Sequence, residues 1–158
     1  MTTTPSTAAD PTMEAIGRAV VAGRGGDIRA VRHQLLRLWS ETGVTGDPLH
    51  RCSLAHHLAD LHDDPAQALA WDVRALDAAD AVTEQRVQEH HAGLHIAGFY
   101  PSLHLNLADN YRRLGSFDAA AEHLEGHHAG LHIAGFYPSL HLNLADNYRR
   151  LGSFDAAA

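Results

Sequence analysis

Apolar residues recur along this chain at three- and four-residue intervals with polar residues between them. Ile28, Val31, Leu35, Leu38 and Trp39 follow that rhythm, and Leu54, Ala55, Leu58 and Leu61 repeat it. Ala68, Leu69, Val73 and Leu76 carry it further. Side chains at this spacing share one face of a helix. Runs of β-branched residues are nearly absent, and Ala, Leu and Arg all favour helix. The expected fold class is all-α.

Local signals divide the periodic stretches. Asp10 or Thr12 can cap a first helix running to about Ala22, where Gly23 to Gly26 interrupt it. Asp27 caps a second, ending near Thr42-Gly43. Asp47-Pro48 and Asp64-Pro65 open a third and a fourth, with proline at the first helical position, where a missing N–H is harmless. A fifth runs from Thr83 to about Ala97, with Gly93 weakening its middle by about 1 kcal/mol relative to Ala. Pro101 opens a sixth through Leu114, Gly115 ends it, and Ser116 caps a seventh. From Ser116 to Ala134 no proline intervenes. That stretch forms either one helix of roughly 19 residues, about 28 Å long, or two helices parted at Gly126 and Gly130. Residues 1–11 read as a disordered leader without the basic and apolar regions of a secretory signal. The helical domain spans residues 12–158.

A repeat dominates the second half. His90 to Ala121 reads HHAGLHIAGFYPSLHLNLADNYRRLGSFDAAA, and His127 to Ala158 reads the same at all 32 positions, 37 residues later. Natural repeats drift because each copy sits in its own surroundings. Complete identity points to an engineered or a recent duplication. The second copy stops just after a helix begins, without the Glu-His-Leu-Glu that follows the first. An unfinished repeat exposes an apolar stripe, so self-association or a frayed C-terminus is expected.

Leu107-Ala108-Asp109-Asn110-Tyr111 and the turn Gly115-Ser116-Phe117 leading to Ala120 resemble the heart of a tetratricopeptide repeat. Leu144, Ala145, Tyr148, Gly152, Phe154 and Ala157 match the same slots. Residues 12–80 resemble degenerate repeats, 83–125 a helix plus a repeat, and 127–158 a truncated one. The resemblance implies antiparallel helix pairs in a right-handed solenoid whose concave groove grips a protein or peptide segment. Leu107 and Tyr111 would then face the seam of a helix pair. Ser102, Leu105, Asn106, Asp109 and Arg113 would share the opposite face. By the resemblance, Asn106, Asp109 and Arg113 line the groove, and Asn143, Asp146 and Arg150 do so in the second copy. Asp109 and Arg113 also sit four apart, the spacing of a plain surface ion pair.

Composition narrows the partners. The net charge is −7, and all twelve basic residues are Arg. A diffuse acidic surface disfavours nucleic acid and anionic membrane. No apolar run approaches the roughly 18–20 residues of a membrane span. The single cysteine, Cys52, forms no internal disulfide and fits a reducing cytoplasm.

Fourteen histidines invite a metal reading. His91 and His95 are four apart, and His128 and His132 repeat the pair. Two imidazoles fall short of the three or four protein ligands of a zinc site, and no H-E-x-x-H is present. His50, His56 and His57 lie near Cys52, but nothing announces an oxyanion site, so Cys52 reads as a small buried helix residue. Gly23-Arg24-Gly25-Gly26 lacks the ending of a phosphate loop. No cofactor is expected. The expected function is a non-enzymatic peptide-binding scaffold. The alternative is a duplication made to probe folding or assembly, without an activity of its own. A histidine-based metal protein is the third reading.

Overall fold

The first four helices start on aspartates. Asp10, Asp27, Asp47 and Asp64 accept hydrogen bonds from the backbone N–H of Met13, Ala30, Leu49 and Ala66 at 3.1, 3.0, 2.8 and 3.1 Å. Each satisfies a donor that the first helical turn leaves unpaired. The helices they open are α1 (Pro11–Gly23), α2 (Ile28–Thr42), α3 (Pro48–Asp60) and α4 (Pro65–Ala81). Then come α5 (Glu84–His90), α6 (Tyr100–Arg113) and α7 (Phe117–Ala134). The structure, a computed structural model, describes residues 9–90 and 100–134, with residues 90 and 126–134 as helix backbone. Among the described residues there is no strand. No helix there is long and apolar enough to cross a membrane.

α1 opens at Pro11, inside the stretch read as leader, because Asp10 caps it. α7 runs unbroken through Gly126 and Gly130, which settles the one-or-two question in favour of one helix. The turn between α6 and α7 is set by Gly115 at φ 79. Its N–H donates to Arg112 O at 3.0 Å and the N–H of Ser116 donates to Tyr111 O at 2.8 Å. That pairing closes the end of α6 and needs the left-handed residue.

α3 packs along α4, α6 along α7, and α4 carries α6, while α1, α2 and α3 pack on one another. The first core joins Ile16, Ala19, Val31, Leu35, Leu54 and Leu58. Fully burying each leucine stabilises by roughly 2 kcal/mol. The second core joins Cys52, Ala55, Ala75, Ala78, Ala79 and Leu103. Trp39 and Trp71 touch both cores and meet edge to face, with ring centroids 5.2 Å apart.

The buried face of α4 differs from the expected stripe. Ala68, Asp72, Ala75, Ala78 and Ala79 are buried, whereas Val73 is 40% exposed. Small side chains let α6 approach α4 closely, so alanine rather than valine faces the seam. Ile28 also departs from its stripe and is exposed. Leu105, expected on the open face of α6, is buried.

α1, α3 and α5 are tied by a polar cluster. Arg86 donates from Nε to Asp47 Oδ2 and from Nη2 to Asp10 Oδ2, both at 2.6 Å. His50 Nε2 lies 2.9 Å from both oxygens of Asp10. Two capping aspartates therefore double as ion-pair partners. Burial raises the Asp10 pKa, but hydrogen bonds from His50, Arg86 and the Met13 N–H outweigh it and hold the carboxyl well below the usual range.

Candidate functional site: a polar hollow between α3, α4 and α6

Asn106 and Asn110 are one helical turn apart, so α6 presents both on one face. That face meets α4 at Asp72. Asn110 Nδ2 donates to Asp72 Oδ2 at 2.6 Å. Asn106 Nδ2 reaches Asp72 Oδ1 at 3.5 Å, the outer limit of a hydrogen bond, and lies 3.4 Å from His56 Nδ1 on α3. Asp72 is 1% exposed and Asn110 5%.

A carboxylate so placed is expensive to ionise. Burial pushes the Asp72 pKa up to about 7; the Asn106 hydrogen bond opposes that, the nearby charge of Asp60 adds to it, and the Asn110 hydrogen bond opposes it. Near neutral pH this group exists in both protonation states.

Above Asp72 opens a hollow of about 190 Å³ with Asp60, His62, Asn106, Asp109 and Arg113 along its wall. The lining is polar almost throughout. Nε2 of His62 is buried with no hydrogen-bond partner among the described residues. Burial and the Arg32 charge lower the His62 pKa and favour the neutral ring. Arg113 donates from Nη2 to the Asp63 carbonyl at 2.6 Å. Asp109 accepts instead from Arg112, at 3.2 Å from Nε and 2.7 Å from Nη2. The expected Asp109–Arg113 pair is replaced because the loop after α3 offers Arg113 a carbonyl.

The structure thus brings Asn106, Asp109 and Arg113 to one hollow. It adds Asp72, Asn110, Asp60 and His62, which reasoning from sequence misses. One signal is present: Asp72 interrupts the apolar run of α4. Leu107 is buried, and Tyr111 stacks on His123 of α7 with centroids 5.4 Å apart and planes at 8°. Both therefore face α7 or the core, while Asn106 and Arg113 line the hollow. Asn143, Asp146 and Arg150 lie outside the described residues.

Chemistry elsewhere is sparse. His91 and His95 lie outside the described residues, as do the side chains of His128 and His132. No group of three or more His, Cys, Asp or Glu among the described residues is arranged to hold a metal ion. Burial pushes the Cys52 thiol up to about 12, and the His50 ring is engaged with Asp10 rather than with sulfur. Scans against protein-family models, curated proteins and solved structures found no match for this chain.

Proposed function

We propose that the chain is a non-enzymatic scaffold of tetratricopeptide type that holds a protein or peptide segment in the hollow between α3, α4 and α6. The observation that carries this reading is the paired asparagine face over a buried carboxyl. An asparagine side chain both donates and accepts, which suits the main-chain amide of an extended segment. Asp60 and Asp72, at a partly dry site, favour a basic side chain or amino group on that segment. A bound cation would in turn favour ionised Asp72. The reading is supported by the packing of α3 on α4 and of α6 on α7, with α6 also packed on α4. The lone cysteine fits a reducing, cytoplasmic setting.

The test is a random-peptide display selection on the immobilised chain, repeated on Asn106→Ala and Arg113→Ala. The reading expects enriched peptides with a central Lys or Arg that lose at least tenfold in affinity on either variant. Peptides that bind the variants equally well would refute it. The letter-for-letter identity of residues 90–121 and 127–158 favours a second reading, an engineered or recent duplication without an activity of its own. Absence of enrichment on every version of the chain supports that reading.

A further inference from the structure

We propose that a second pocket, lined by the α2–α3 loop, α3 and α4, binds a small free amino acid with an apolar side chain. It shares no residue with the hollow at Asp72. The chain between α2 and α3 turns tightly at Gly46, where a Cβ would collide with the backbone of Thr42. The same turn leaves Val44 87% exposed, the most exposed large hydrophobic side chain among the described residues. Val44, Pro48, Ala78 and Ala81 form the apolar part of a pocket of about 240 Å³. Arg51, Arg74 and Asp77 form its charged part.

The chain's two tryptophans carry the two guanidinium groups. Arg51 Cζ stands 4.2 Å from the Trp39 ring centroid, and Arg74 Cζ 4.5 Å from that of Trp71. The indoles brace each other edge to face. A guanidinium laid on an indole keeps its N–H edge for an oxyanion. Arg51 commits one nitrogen to the Gly43 carbonyl. Arg74 and Asp77, three residues apart on α4, make no ion pair or hydrogen bond among the described residues. The wall therefore offers two cations and one anion that do not neutralise one another. A lone oxyanion would suit the arginines but meet the Asp77 charge and leave the apolar part wet. A zwitterion answers every part of the wall. Its carboxylate takes Arg51 and Arg74, its ammonium takes Asp77, and its side chain covers Val44, Pro48, Ala78 and Ala81. Sites for drug-sized ligands begin at roughly 300 Å³, so this smaller pocket suits a single amino acid.

The test is a titration of the isotope-labelled full chain with L-leucine at neutral pH. The indole N–H signals of Trp39 and Trp71 and the backbone signals of Val44 and Ala78 are followed by nuclear magnetic resonance. Leucine should shift them saturably. 4-Methylpentanoate, which lacks the amino group, should bind about three- to fivefold more weakly. Asp77→Asn should erase that difference, and Arg74→Gln should weaken leucine by about tenfold or more. Both side chains are exposed, so neither substitution disturbs the core. No saturable shift with leucine, or a leucine affinity that R74Q leaves unchanged, overturns the proposal. Inorganic phosphate saturating the same signals at lower concentration than leucine would mark a plain anion site and overturns it too.

Discussion

Asn110 on α6 donates a 2.6 Å hydrogen bond to Asp72 on α4, and both side chains are all but closed to solvent. This contact fixes the rotation of α6 on α4. It places Asn106 one turn earlier at the same carboxyl, and Arg113 at the mouth of the hollow. Packing of Leu103 among the alanines of α3 and α4 supplies attraction but little rotational preference. The buried polar pair supplies the register.

The same carboxyl makes stability depend on pH. Burial, against the Asn106 bond, with the Asp60 charge and against the Asn110 bond, raises the Asp72 pKa from 3.8 to about 7. Between those values the folded chain keeps a proton that the unfolded chain has released. Stability from this group therefore falls as pH rises from about 4 to about 7 and then levels, by a few kcal/mol in all. His57, His62 and His123, whose pKa values burial lowers, act oppositely below pH 6.5. The comparison with Asp72→Asn isolates the effect. Urea unfolding at pH 5 to 8 should show D72N gaining on the wild type up to about pH 7 and levelling above it; a gap that stays constant from pH 5 to 7 contradicts the assignment.

Arg86→Ala should loosen the contact of α1 with α3 and α5. It leaves Asp10 and Asp47 half-buried with fewer donors, a loss of about 2 kcal/mol. Asp10 is held low by His50 and Arg86 against the pull of burial. Its stabilisation is present above the ordinary carboxyl pKa and lost as pH falls through its folded value. Without Arg86 that folded value rises, so acid unfolding followed by circular dichroism should begin at higher pH. An unchanged acid limb would show that the cluster is decorative.

Two glycines should respond with opposite signs. Gly115 stands at φ 79 with open space around a would-be Cβ. Gly115→Ala therefore loses about 1 kcal/mol through backbone strain alone. Gly17 lies inside α1 with nothing within 4 Å of its would-be Cβ. Gly17→Ala should gain up to about 1 kcal/mol from helix propensity. Thermal melts of the two variants should move in opposite directions.

These features differ in how far the sequence announces them. Asp10, Asp27, Asp47 and Asp64 cap helices through bonds two or three residues long, so local patterns reveal them. The unbroken α7 stays open from sequence alone because Gly126 and Gly130 each weaken a helix by about 1 kcal/mol, which neighbouring turns can offset. The α4 stripe misleads because hydropathy favours Val73 over Asp72. The decision lies with Asn106 and Asn110, more than thirty residues away, which make burial of a carboxyl tolerable. Arg86 reaches Asp10 across 76 residues, and no local pattern carries that pairing. Helical spacing and family resemblance single out Asn106, Asp109 and Arg113. Asp60 and His62 enter the hollow through the packing of α3 on α4.

The central claim is that this hollow is where a peptide segment sits. Its most direct test is nuclear magnetic resonance of the isotope-labelled chain at pH 7, titrated with a pool of lysine-centred pentapeptides. The claim predicts saturable shifts of the Asn106 and Asn110 side-chain amides and of the backbone at Asp60, Asp72 and Arg113, abolished in Asn106→Ala. Saturable shifts clustered on other helices, or none at concentrations up to the millimolar range, would contradict it.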